Sequence, residues 1–206
     1  MTTKSTTNEP LRIVFLGDSI TGHSNLASYL KFSHIVERMV RAKLGDRGVV
    51  SFNRGIGGDR TAGVIARLDR DCIDLHPDIV VLLISGNDAG DPNADRAEIR
   101  RNLDTIVSRI VATGAKLLVL QYHIVPNPAR PETAWQHLVS TNDLIADVAA
   151  AHNVPVLPMG PPMTAAANKQ PTVELANEID GVHLNPGGEL VFADTIFDKL
   201  KSLSWI

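Results

Sequence analysis

The stretch that decides the fold is Leu11-Arg12-Ile13-Val14-Phe15-Leu16-Gly17-Asp18-Ser19. Its apolar part, interrupted only by Arg12, has the length and composition of a strand that is buried on both faces. A glycine and two polar residues follow directly, as is common where a strand gives way to a turn. The stretch therefore predicts a first strand, with Ser19 at the strand-to-helix turn that follows it.

Similar apolar runs recur along the chain and alternate with helical patterns. Because parallel strands need crossover connections, this alternation favours a parallel sheet with helices on both faces. The prediction is an α/β fold, a three-layer α/β/α sandwich around a flavodoxin-like five-stranded parallel sheet. The further strands are expected at 49–52, 79–84, 117–120 and 154–157, and the helices at 28–44, 61–73, 95–113, 132–152 and 186–203. Two proline-containing segments, 126–131 and 155–171, are expected to be surface loops that wall a substrate pocket.

Length and charge narrow the classes of protein to consider. At 206 residues the chain suits one domain, which we expect at 11–206 after a flexible N-terminal segment at 1–10. The net charge is -3, and Lys and Arg are scattered, so no nucleic-acid partner is expected. Cys72 is the only cysteine, which excludes an intramolecular disulfide and a cysteine-rich zinc site.

The first apolar run is too short for a membrane span or for the core of a signal peptide. The expectation is a protein without a membrane span and with a cytoplasmic location, unless a signal sequence has been removed. The oligomeric state stays open.

Reactive side chains follow the predicted strands and gather near the C-terminus. Ser19 can act as a nucleophile if a base takes its proton, and that base needs a group that fixes its tautomer. Asp180 and His183, three residues apart, can supply the acid and the base. Alone, each segment has a simpler interpretation: Ser19 as a helix cap, and Asp180-Gly181 as a turn with His183 at the surface.

Acyl transfer also requires donors directed at the developing oxyanion. Gly58, in Gly57-Gly58-Asp59, offers a backbone N–H that no side chain screens, and Asn87 offers a side-chain amide after the third strand. The N–H of Ser19 can be a third donor. A glycine turn and an Asx-turn are the alternatives for Gly58 and Asn87.

Together, these segments resemble the SGNH hydrolases, also called the GDSL esterase/lipase family. The four blocks of that family match at Gly17-Asp18-Ser19-Ile20, at 53–59, at Gly86-Asn87-Asp88 and at Asp180-Gly181-Val182-His183. Ile20 replaces the leucine of the family name, and Ser85 stands where relatives often have glycine or threonine. Neither change removes a catalytic atom.

The resemblance implies a carboxylic ester hydrolase that works through a covalent acyl-enzyme and needs no metal or cofactor. Ser19 would be the nucleophile, His183 the base, Asp180 the acid, and Ser19, Gly58 and Asn87 the oxyanion hole. The expected partner is a small-molecule ester with a short acyl group, such as acetyl on a carbohydrate, because no membrane-binding segment or large apolar insertion is evident. The alternatives are a lysophospholipase or thioesterase on the same site, or a non-catalytic α/β binding module.

Some other polar residues at the predicted strand ends also have possible roles. His23 and His123 can contact substrate, although a solvent-facing loop residue is the simpler interpretation of each. Tyr122 or Trp135 could offer a stacking surface for a sugar. Three carboxylates with His123 could suggest a metal site, but no ligand spacing accompanies them, so hydrogen bonds to loop backbone are the favoured role. These carboxylates are Asp18, Asp59 and Asp88.

Overall fold

The computed structural model describes residues 9–22, 26–123, 136–169, 175–176 and 182–206. These residues form a five-stranded parallel sheet in the order β2-β1-β3-β4-β5, which confirms the predicted flavodoxin-like α/β fold. The strands are β1 Leu11–Gly17, β2 Val49–Gly55, β3 Ile79–Leu83, β4 Lys116–Gln121 and β5 Val156–Pro158. Within the predicted N-terminal segment 1–10, only Glu9 and Pro10 belong to the described residues.

The helices form two packed groups, as the connections of a parallel sheet require. The group of α1, α6 and α7 packs together, and α2, α4 and α5 form the other group, with α3 against α5. Their bounds are α1 Phe32–Leu44, α2 Thr61–Asp71, α3 Gly86–Ala89, α4 Arg96–Ala112, α5 Gln136–Ala151, α6 Gly160–Lys169 and α7 Pro186–Ser202. None of these helices is long and apolar enough to cross a membrane within the described ranges.

Two sequence-based expectations need correction. The segment 155–171 was expected to be a loop, but it contains β5 and the helix α6. Pro161 and Pro162 lie in the first turn of α6, where a missing N–H costs no helical hydrogen bond, so they start this helix instead of interrupting it. The helix expected at 28–44 is broken at Lys31, which has an extended backbone between a short 3-10 turn and α1. The other expected loop, 126–131, lies outside the described residues.

The core packs around the strand that leads to Ser19. β3, the neighbour of β1, is buried along its whole length, as expected for the centre of a parallel sheet. On one face, Phe15 of β1 meets Phe32 at the start of α1, and Phe32 meets Phe192 of α7, with ring centroids 5.9 and 5.5 Å apart. These contacts hold the first turn of α1 and the second turn of α7 against the strand that leads to the candidate nucleophile.

The register of the sheet brings three loops to one point. Gly17, the last residue of β1, pairs with Gly55 at the end of β2 and with Leu83 at the end of β3. Ser19, Gly58 and Asn87 therefore follow, by two to four residues, three strands that end at the same level. Ligands bind beyond the carboxyl ends of the strands in sheets of this kind, so this edge holds the candidate site.

Candidate active site

The candidate nucleophile and base are in direct contact. Ser19 is half-buried in the turn after β1, and its Oγ lies 2.7 Å from Nε2 of His183. Nε2 can accept the serine proton when the neutral ring carries its hydrogen on Nδ1. The two residues are 164 positions apart in sequence, so the fold has to bring them together. The predicted acid, Asp180, lies outside the described residues, and its role stays a prediction.

Short segments hold His183 in place before α7 begins. Leu184 forms an antiparallel bridge with Ala176, and the N–H of Asn185 donates to the carbonyl of Leu175 over 3.1 Å. Asn185 stands at the N-cap position of α7, before Pro186 in the first helical position, and its side-chain amide donates to the carbonyl of Ala176 over 3.1 Å. The two residues that follow His183 are thus both hydrogen-bonded to the segment 175–176, which fixes the backbone that carries the base.

The two predicted oxyanion donors belong to loops that bind each other. Asn87 Nδ2 donates to the carbonyl of Asp59 over 3.0 Å, which brings its amide to the residue next to Gly58. An amide has two N–H donors, so a second one remains for an oxyanion. Gly58 has φ +73°, a conformation that favours glycine, and there is open space where a Cβ would be. The oxyanion roles of Gly58 and Asn87 stay predictions.

The carboxylates beside these positions hold the loops, as the sequence analysis favoured. Asp88 accepts from both the N–H and the hydroxyl of Thr61 at the start of α2, at 3.1 and 2.6 Å. Together with the Asn87 bond to Asp59, this contact fastens α3 to both ends of the Asp59–Thr61 segment. No group of three or more potential metal-ligating side chains occurs in the ranges that the structure covers.

Arg67, which the sequence analysis did not single out, ties the Gly58 loop to the nucleophile strand. Its buried guanidinium contacts the Asp59 carboxylate at 2.7 Å and donates to the carbonyls of Gly17 and Arg54 over 3.0 and 2.9 Å. It also binds Asp71 one turn further along α2. A single cation thus joins the ends of β1 and β2 to the loop of the candidate oxyanion donor.

Tyr122 joins the nucleophile turn to the helix of Asn87. Its hydroxyl donates to Oδ2 of Asp18 over 2.5 Å and accepts from the N–H of Gly86 over 2.8 Å. The ring is buried, so Tyr122 is not the exposed stacking surface that was considered. A Cβ on Gly86 would lie 2.7 Å from this ring, so the position tolerates only glycine without movement. The sequence signal for Tyr122 was its place directly after β4.

His123 is buried as well, with 2% of its surface exposed, and its ring meets Phe192 edge-on at 5.1 Å. The interpretation of His123 as a solvent-facing loop residue is therefore wrong, because the residue packs against α7. Its contact with substrate stays a prediction. His23, the other predicted contact, lies outside the described residues, as does Trp135.

Burial changes the acidity of the carboxyl next to the nucleophile. Burial raises the pKa of Asp18 to about 6. The hydrogen bonds from Tyr122 and from the Ile20 N–H, and the nearby His183, lower this pKa but do not cancel the effect of burial. Burial also raises the pKa of Tyr122 well above its usual value, with the Asp18 charge adding to the effect. The shared proton therefore stays on Tyr122, which acts as the donor to Asp18.

We expect Asp18→Asn to change how folding stability depends on pH. Between about pH 4 and pH 6 the folded protein keeps the Asp18 proton that the unfolded chain loses, so the Asp18 contribution to the free energy of unfolding falls as pH rises. Two pKa units correspond to a loss of up to about 3 kcal/mol. Urea unfolding of both proteins across this range should show their difference falling by about that amount. A difference that is independent of pH would contradict the assignment.

Comparison with known proteins identifies the family. The chain belongs to the GDSL-like lipase/acylhydrolase family, whose pattern matches residues 15–190. This confirms the resemblance drawn from the four blocks and, with it, the predicted class of enzyme, the carboxylic ester hydrolases.

Individual relatives agree with this assignment. Esterase TesA of Pseudomonas aeruginosa is 30% identical over 115 residues, a match that spans 56% of this chain and 56% of TesA. The lipase/acylhydrolase of Enterococcus faecalis superposes with a TM-score of 0.75 and 29% identity, over 93% of this chain and 96% of that one. An acetylxylan esterase from Geobacillus stearothermophilus, Axe2, shares the fold with a TM-score of 0.76 and 18% identity, over 93% and 94% of the two chains.

Proposed function

We propose that this protein hydrolyses esters of short acyl groups through Ser19, His183 and Asp180, with acetyl groups on carbohydrates as the first substrate class to test. The observation that carries the proposal is the 2.7 Å contact between Ser19 Oγ and His183 Nε2 at the carboxyl edge of the sheet. Separations of this size allow a base to take the proton of a nucleophile.

In the proposed mechanism, His183 takes the Ser19 proton while Ser19 Oγ attacks the ester carbonyl. The oxyanion of the tetrahedral intermediate accepts hydrogen bonds from the N–H groups of Ser19 and Gly58 and from Asn87. His183 then protonates the leaving alkoxide, which leaves an acyl-enzyme. Water gives a proton to His183 as it attacks this ester, and His183 then returns that proton to Ser19 Oγ as the bond to the acyl group breaks and the carboxylic acid leaves. Asp180 holds the tautomer of His183 and stabilises the imidazolium.

The proposal for a short acyl group rests on two kinds of support. The sequence has no large apolar insertion of the kind that shelters a long chain, and the connections after β2 and β3, at 56–60 and 84–85, are short. Among proteins of the same fold, the Geobacillus stearothermophilus protein is an acetylxylan esterase. The Enterococcus faecalis relative, a lipase/acylhydrolase, favours a second candidate, the hydrolysis of longer acyl esters on the same site.

A series of p-nitrophenyl esters from acetate to palmitate separates these candidates. We expect kcat/KM to be highest for acetate and to fall with each longer chain, and release of acetate from acetylated xylo-oligosaccharides to exceed release from acetylated amino alcohols. The same esters with Ser19→Ala protein measure the background. Fastest hydrolysis of the long chains would overturn the short-acyl proposal and favour the lipase.

A further inference from the structure

A buried ion pair, Lys31 and Glu189, lies next to the turn that carries Ser19, and the proposed mechanism does not use it. Lys31 Nζ lies 2.5 Å from Glu189 Oε1, and the two side chains are 5% and 0% exposed. Burial raises the pKa of the Glu189 carboxyl, while the Lys31 ammonium opposes that rise. Buried pairs of this kind often stabilise a fold no better than apolar residues of similar size. The other hydrogen bonds of Lys31 and Glu189 indicate what the pair does.

Lys31 holds the turn of the nucleophile. Besides Glu189, its ammonium donates to the carbonyl of Ile20 over 3.0 Å. Ile20 directly follows Ser19, and its N–H donates to Oδ1 of Asp18, so bonds on both sides define the backbone around the nucleophile. The extended backbone of Lys31, which interrupts the helix expected at 28–44, belongs to the same arrangement.

Glu189 holds the segment of the base. It lies in the first turn of α7, and its N–H donates to the carbonyl of Asn185 over 3.0 Å, two residues after His183. Its second carboxylate oxygen accepts from the N–H of Phe32 over 2.7 Å. Phe32 begins α1, which has no capping side chain of its own, so Glu189 caps α1 from the neighbouring helix.

We propose that Lys31 and Glu189 are positioning residues that set the separation of Ser19 and His183. Through the pair, the Ile20 carbonyl on one side and the first turn of α7 on the other are connected by charged hydrogen bonds. These contacts are made by groups one residue from Ser19 and two to six residues from His183. The inference rests on the proposed function, because it assigns the pair to the geometry of that nucleophile and base.

Replacing Glu189 by Gln tests the pair while keeping the size of the side chain and an oxygen for the Phe32 N–H. The buried ammonium of Lys31 loses its counter-charge and pulls less on α7, so the nucleophile turn and the base can shift. Since misplacement by about 1 Å can cost about a hundredfold in rate, we expect kcat to fall about tenfold to a hundredfold while KM stays within about twofold. Lys31→Met is expected to have the same effect.

The double variant Lys31→Met/Glu189→Gln separates positioning from stability. With both charges removed, no unpaired buried charge is left, so its melting temperature should recover most of the loss of the single variants. Its kcat should nevertheless stay low, because nothing now connects the Ile20 carbonyl to α7. Ile110→Val, in the buried face of α4 away from the site, is the control: it lowers the melting temperature without changing kcat.

All rates are compared at a temperature where circular dichroism shows each variant to be folded. A low kcat with unchanged KM in the double variant supports the inference, whatever its melting temperature. A wild-type kcat in the folded double variant would overturn it. Failure of the proposed function is recognised separately: in that case the wild-type protein itself does not react at Ser19 with a fluorophosphonate.

Discussion

Ser19→Ala is expected to lower kcat for p-nitrophenyl acetate by about 10⁴- to 10⁶-fold, because the acyl-enzyme can no longer form. The substitution removes one hydroxyl at a half-buried position in a turn, so the melting temperature should change little. The change in rate is measured with the purified variant at substrate concentrations above KM. Circular dichroism of the same sample shows whether the fold is intact.

Ser108→Ala is the matched control, since it also removes a serine hydroxyl but lies on α4, where Ser108 donates to the carbonyl of Thr105 within its own helix. Its kcat should equal that of the wild type. If Ser19→Ala kept its full esterase activity, another residue would be the nucleophile and the assignment of the site would be wrong.

His183→Ala is expected to lower kcat by about 10⁴-fold or more, because it removes the base that takes the proton of Ser19. The matched control is His152→Ala, which removes a histidine that binds Asp104 near the end of α5. That control should keep wild-type kcat.

The double variant Ser19→Ala/His183→Ala gives the sharper result. Residues that act as one unit are not additive, so the double variant should be no slower than Ser19→Ala alone. If the two losses multiplied, the residues would act independently, and the 2.7 Å contact between them would have no role in proton transfer.

The features that the sequence could predict share a physical origin. A strand that is buried on both faces is apolar along nearly its whole length, so β3, and β1 with its single Arg12, can be recognised without knowledge of their partners. Parallel strands end at the same edge, so the residues after them could be assigned to one site. The contact of Ser19 with His183 follows from these two facts and from the family resemblance.

Other features left little local signal. The ion pair of Lys31 and Glu189 joins residues 158 positions apart, and neither residue stands in a recognisable motif. Arg67 looks like an ordinary polar residue of α2, although it is buried and binds acceptors from three segments of the chain. Contacts of this kind depend on how the helices pack, which no periodicity reveals.

Two predictions were wrong because they relied on the type of residue and did not consider its position in the fold. Proline was taken to indicate a loop at 155–171, while in the first turn of α6 it suits a helix. His123 was considered as a loop residue open to solvent, because histidine after a strand is often exposed. In the structure α7 covers His123 through Phe192, and Tyr122 is buried against α3 and Asp18, where its hydroxyl joins the nucleophile turn to Gly86.

The most direct test of the central claim is the reaction of the wild-type protein with a fluorophosphonate, followed by mass spectrometry of its peptides. Only a serine that is activated by a base reacts rapidly with such a probe. The account predicts one adduct, on the peptide that contains Ser19, and none in the Ser19→Ala variant. An unmodified wild-type protein, or an adduct on another serine, would contradict it.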